Sequence, residues 1–166
     1  MNQVNAEEAR LKQLVSRTMR LSLVEGSLVQ VFLNWTTGSV LIGYLLHLGA
    51  SPTQIALVGS VPMLAQIASP FGAFLAEALG RRRFTATLLS IIGRLSWLLA
   101  VFLPQLPVPA ALQPTLMVGL VLFAAAFQAA TGTIWAAWMG DVVPDRGRGR
   151  YFGFRTGLLG FIGTAA

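Results

Sequence analysis

The chain has no cysteine, which excludes disulfides, zinc–thiolate sites and thiol chemistry. It has one histidine, His47, and only six acidic residues against twelve bases. Those acids are not spaced as metal ligands. No Ser/His/Asp arrangement can be assembled, and no phosphate-binding loop is present. Nothing here argues for an enzyme, and no cofactor or metal is expected. The scarcest material is charge itself. Only 11% of residues are charged, where soluble domains carry roughly 25%. That is too little polar material to cover a soluble surface.

Apolar sequence fills the space instead: 55% of the 166 residues are hydrophobic and the mean hydropathy is +0.68. The bases gather before Leu21 (Arg10, Lys12, Arg17, Arg20), at Arg81-Arg82-Arg83, and between Arg146 and Arg155. The intervening turns, around His47–Pro52 and Pro104–Pro114, carry no Lys, Arg, Asp or Glu. A chain crossing a bilayer repeatedly, with its charged turns on the cytoplasmic side, has this pattern. The net charge of +6 and pI near 11.4 would also suit a nucleic-acid binder. The cations, however, alternate with membrane-length apolar runs rather than forming one patch. No nucleic-acid partner is expected; the bases orient the chain and attract anionic membrane lipids.

A hydrocarbon core about 30 Å thick needs roughly 20 apolar residues per helix. The predicted fold class is therefore all-α, a polytopic membrane helix bundle of about five transmembrane helices. Residues 1–20 read as a cytoplasmic tail, with Leu11, Leu14, Val15 and Met19 on one helical face at the headgroups. Residues 21–166 form the bundle, with spans near 21–48, 53–79, 84–103, 116–140 and 151–166. The last is incomplete, since sixteen residues fall short of a crossing at about 1.5 Å each. The tail has no apolar signal core, and the run after Leu21 is too long for one, so it is read as a retained helix. The chain is placed in the inner or plasma membrane with a cytoplasmic N-terminus. Ser51 is the expected N-cap and Pro52 the first residue of the second span. Pro62 and Pro70 should bend that span, and Gly80 should stop it. Gly153, Gly157, Gly160 and Gly163 offer a small-residue face for close helix contact.

Glu25 and Arg94 lie inside spans, where a charge costs about 2.5–3.5 kcal/mol. Glu25 is about 6 Å past the cytoplasmic edge and Arg94 about 15 Å in, by the helix rise. The arginine's long side chain reaches back toward the interface. The two can form an intramembrane ion pair that joins helices. Glu25 can instead handle a proton or substrate, or snorkel to the headgroups. Asn34, Gln66, Gln128, Thr131 and Thr133 either line a pathway or hydrogen-bond between helices, the latter contributing on the order of 0.6 kcal/mol each. Trp35, Trp97, Trp135 and Trp138 either stack a substrate or serve packing and interfacial anchoring.

Two turns carry a family resemblance. Ala73-Phe74-Leu75-Ala76-Glu77-Ala78-Leu79-Gly80-Arg81-Arg82 resembles the cytoplasmic loop signature of the major facilitator superfamily, Gly-x-Leu-Ala-Asp-Arg-x-Gly-Arg-Arg. It departs at Ala73 and Ala78. Asp141-Val142-Val143-Pro144, then Arg148-Gly149-Arg150 and Gly153, is similar to the family's Asp-x-x-Pro and Arg-Gly-Arg turn into its fifth helix. The resemblance covers nearly the whole chain but only the first five of the family's roughly twelve helices, built as two six-helix halves.

The resemblance implies a secondary carrier of a small solute that works by alternating access. It implies a cytoplasmic charge latch of Glu77, Arg81, Arg82 and Asp141, and a conformational turn of Pro144, Arg148, Gly149 and Arg150. It places Asn34, Trp35, Gln128 and Thr131 among the pathway candidates and makes Arg94 a brace rather than a substrate contact. The Gly-Pro pair of the antiporter signature is not seen. On this reading the chain is a truncated N-terminal portion, not expected to transport alone, whose partners are an unknown solute, membrane lipids, and the missing C-terminal helices or another membrane chain. The alternative is a small multi-pass scaffold or interaction subunit.

Overall fold

The computed structural model describes residues 2–165, with side chains from Asn5 to Ala165. The elements are α1 (Asn2–Thr36), α2 (Gly38–His47), α3 (Pro52–Ala65), α4 (Ser69–Leu79), α5 (Arg82–Phe102), α6 (Gln113–Val142) and α7 (Asp145–Ala165). Short 3-10 turns lie at Gln66–Ala68, Leu103–Gln105 and Ala110–Leu112. No strand occurs among the described residues. Four stretches there are long and apolar enough to cross a membrane: Asn5–His47, Pro52–Leu79, Arg82–Gln105 and Ala110–Val142. Helix α7 is not one of them. It begins at Asp145, so Arg146, Arg148 and Arg150 fall within its opening turns rather than in a loop before it.

Helix α1 carries the basic N-terminal segment and runs unbroken from Asn2 to Thr36. That helix ends where two threonine hydroxyls turn back on it. Thr36 Oγ1 donates to the Phe32 carbonyl at 2.8 Å and Thr37 Oγ1 to the Leu33 carbonyl at 2.7 Å. Gly38 follows with φ +60°, a left-handed conformation that a Cβ disfavours. At the next turn Ser51 caps α3 in a reciprocal box. Its hydroxyl accepts from the Gln54 amide at 3.3 Å, and the Gln54 side-chain oxygen accepts from the Ser51 amide at 2.8 Å. Pro52 opens the helix as its pattern predicts. Pro62 lies inside α3, whose ladder loosens into the 3-10 turn before α4. Pro70 then stands in the first turn of α4, where it has no helical N–H to lose. Gly80, at φ +61°, ends α4.

The chain divides into two compact units, residues 1–40 with 139–166, and residues 41–138. In the second unit the apolar core has two parts. Leu41, Leu45, Val58, Val61, Ala100, Leu103, Met117 and Val121 form one cluster. Ala76, Leu89, Ala130 and Ile134 form the other. The first cluster belongs to the end with uncharged turns. There Gln54 Nε2 donates to Thr115 Oγ1 at 3.0 Å and the Tyr44 hydroxyl to the Ala100 carbonyl at 2.7 Å. The two turns without charge therefore meet at one end of this unit, as an up-and-down crossing pattern requires.

In the first unit α1 packs along α7. Tyr151 Oη donates to the Met19 carbonyl at 3.3 Å, Arg155 lies against Gly26, and Asn34 reaches Gly163. Contacts that rise together along both sequences mean the helices run parallel, so both enter from the same face. Each unit exposes large apolar side chains: Leu28 is 68% exposed in the first, and Met63 82% and Ile67 79% in the second. In water such residues would form a large unfavourable patch; lipid or neighbouring helices would cover them.

Candidate functional site

The charged end of the second unit holds an open cleft. Gly80 turns the chain sharply out of α4, and α5 starts two residues later, which brings consecutive arginines round one opening. Glu77, Arg81, Arg82 and Arg83 line it with Ala76, Gly80, Phe84, Thr87 and Trp138. Glu77, Arg81 and Arg82 thus come together as a group. Asp141 lies near the end of α6 and belongs to the other unit. With one carboxylate among three guanidinium groups, the cleft carries an excess of positive charge.

The turn from α6 to α7 is built by Arg148. Its Nη2 donates to the Gly140 carbonyl at 2.6 Å and more weakly to the Val143 carbonyl at 3.4 Å, and it pairs with Asp145 Oδ1 at 2.9 Å. The last carbonyls of α6 have no helical partner of their own. A guanidinium from the next helix satisfies them and suits the negative end of the α6 dipole. Pro144 accepts from the Gly147 amide at 3.0 Å, which closes the corner. Gly149 and Arg150 are exposed on the following turn.

Along the parallel α1–α7 seam, polar groups meet inside the apolar segment. Asn34 Nδ2 donates to the Gly163 carbonyl at 2.9 Å, and Gln30 Nε2 donates to Asn34 Oδ1 at 3.2 Å. A Cβ on Gly163 would sit 2.9 Å from that Gln30 amide. Asn34 therefore serves helix contact here. Of the glycines 153, 157, 160 and 163, only Gly163 has a neighbour within 4 Å of its Cβ position. One turn or more back, the Arg155 guanidinium lies over Gly26, with Nη2 2.6 Å from the place a Cβ would take. Glu25, the adjacent residue, is close enough for its charge to act on Arg155. Arg155 is a seam residue that sequence reasoning missed, since it was grouped with the turn bases. Its position ten residues past the start of α7 was the available signal. Arg94 belongs to the other unit.

The Asn34 bond yields a modest expectation. Asn34→Ala should destabilise the seam by about 0.6–1 kcal/mol, typical of an interhelical hydrogen bond in lipid. Asn34→Asp keeps the acceptor for Gln30 but loses the donor to Gly163, so it should be no better than alanine. Thermal unfolding in detergent, followed by circular dichroism, measures both.

Two polar residues on α6 are differently placed. Gln128 is half-buried, and Thr131, one turn on and sharing its helix face, has a buried hydroxyl without a hydrogen-bond partner. Trp35, in α1, is 69% exposed.

Apolar helices of spanning length, lipid-type surfaces and basic turns define a polytopic α-helical membrane protein. Within that class, the profile of the Major Facilitator Superfamily matches residues 26–166, and the chain belongs to that superfamily. Its members are transporters, not enzymes. No curated protein sequence and no solved structure gave a significant match.

Proposed function

We propose that the chain serves a secondary carrier of a small solute, working by alternating access in the cell membrane with its N-terminus and basic turns on the cytoplasmic side. The observation that carries this reading is the Thr131 hydroxyl, buried without a hydrogen-bond partner on the same α6 face as Gln128. Unsatisfied buried hydroxyls are rare and call for a reason. A polar substrate passing along α6 supplies one. Trp35 and Asn34 remain further pathway residues, although Asn34 already donates to Gly163.

The cleft charges Glu77, Arg81 and Arg82 act as a latch, to which the resemblance adds Asp141. The Pro144–Arg150 corner serves as the conformational turn that the resemblance implies. Because carriers of this family rock two six-helix halves about a midplane site, these helices transport only with further helices, on the same chain or another.

Reconstituted vesicles test the proposal. Flux of sugars, amino acids, organic anions and lipophilic cations is measured with and without a proton gradient, for the chain alone and co-expressed with a complementary set of helices. The chain alone should give no flux above empty vesicles. The complemented protein should move one solute class, and Thr131→Val with Gln128→Leu should lower that flux at least tenfold. Flux unaffected by the double substitution would remove α6 from the pathway.

A further inference from the structure

We propose that the cleft at the α4–α5 turn seats the phosphate of an anionic phospholipid, with Arg83 and Trp138 as the residues that select it. Arg83 lies one residue past the loop signature, which ends at Arg82, so the latch leaves it without a role. Its side chain nonetheless lines the same opening as Arg81 and Arg82. Together they outnumber Glu77, the single carboxylate there, so the cleft favours an anion. No side chain caps the start of α5 at Arg81, and the positive end of that helix dipole adds to the attraction.

The apolar part of the lining decides between sources of phosphate. Ala76, Phe84 and Trp138 supply apolar lining to the cleft. Inorganic phosphate gains nothing from such a lining. A glycerophospholipid does, since its glycerol and first methylenes lie against apolar surface while its phosphate meets the arginines. The place also fits: the cleft lies where the stretch Pro52–Leu79 ends and Arg82–Gln105 begins, the level of the headgroups in a bilayer. This inference needs only that the helices are embedded in lipid. Its failure would leave the carrier reading standing, because its readout is lipid retention and not flux.

The experiment uses the whole chain purified in neutral detergent, with bound lipid counted by native mass spectrometry. Short-chain phosphatidylglycerol, phosphatidylcholine and inorganic phosphate are the probes. Phosphatidylglycerol should bind at least tenfold more tightly than phosphatidylcholine, and equimolar phosphate should not displace it. Arg83→Gln should weaken the anionic lipid about fivefold, the factor equivalent to about 1 kcal/mol per base near an anionic surface, while Arg83→Lys stays within about twofold. Trp138→Ala should weaken both lipids and leave their ratio unchanged.

Equal retention of the two lipids overturns the proposal, as does wild-type affinity in Arg83→Gln with unchanged helix content. Mole-for-mole displacement by phosphate assigns the cleft to the free ion and overturns the lipid assignment. Should Arg83→Gln lose helix content, salt serves in its place. Raising ionic strength from about 0.1 to about 1 M shortens the screening length from about 10 to about 3 Å and should release phosphatidylglycerol selectively. Retention at high salt overturns the proposal equally.

Discussion

Gly72→Val is expected to destabilise the protein by about 3 kcal/mol or more, the upper end of overpacking costs. A Cβ at Gly72 would lie 2.6 Å from the Ala130 carbonyl oxygen, 2.7 Å from its Cα and 2.8 Å from its Cβ. Two of those atoms are helix backbone and cannot swing aside, so α4 and α6 must separate. Gly72→Ala meets the same atoms with one carbon fewer. Alanine's helix propensity, about 1 kcal/mol better than glycine's, offsets only part of that clash.

The other glycines form an internal scale. Gly93 would meet the Phe127 Cβ at 2.8 Å, a side chain with limited freedom, and its alanine variant should fall in between. Gly26 would meet only the tip of Arg155, which can move, so the loss there is mild. Gly59 has nothing within 4 Å, and Gly59→Ala should stabilise by up to about 1 kcal/mol. Midpoints of thermal unfolding in detergent should rank Gly72, Gly93, Gly26 and Gly59 variants in rising order. A Gly72→Ala protein as stable as Gly59→Ala would mean that α4 does not touch α6 at Ala130.

Leu45→Ala should cost about 2–3 kcal/mol, the largest effect expected from truncating a side chain here. Leu45 is fully buried, in contact with the cluster of Leu41, Val58, Val61, Ala100, Leu103, Met117 and Val121. In a water-soluble core such a truncation costs about 2–5 kcal/mol, partly from lost transfer out of water and partly from the cavity. Lipid tails are as apolar as leucine, so the transfer part shrinks. The cavity part stays, because lost contacts are not refilled. Met63→Ala, at a residue 82% exposed, opens no cavity and should change stability by less than about 0.5 kcal/mol. Unfolding titrations of the two variants in mixed micelles separate these cases. Equal losses would show that Leu45 faces lipid.

The features readable from the chain were those set by local chemistry. Ser51 before Pro52 and the glycine at position 80 each act within one helical turn, and both stand where their types demand. The pairing of the two uncharged turns was equally legible, and they do meet at one end of the second unit. Legibility failed where partners come from far along the chain. Four glycines on α7 looked like a contact face, yet of them only Gly163 has a close neighbour, while Gly72 and Gly93 lie tight against α6. No spacing rule on α4 or α5 encodes that. Arg155 was hidden for a related reason. A run of bases from Arg146 onward reads as one cytoplasmic cluster until the helix start at Asp145 shows how far along α7 its last member lies. Asn34 was visible as polar, but its acceptor, the Gly163 carbonyl, has no side-chain signature at all.

The hydrogen bond between Gln54 and Thr115, with that from Tyr44 to the Ala100 carbonyl, has a mechanical meaning. The tips of α2, α3, α5 and α6 at the end with neutral turns are cross-braced. Any opening there must either snap those braces or swing all four tips as one block. With the apolar cluster of Leu45, Val61, Leu103 and Met117 joining all four helices beneath the braces, such an end is built to move as one piece.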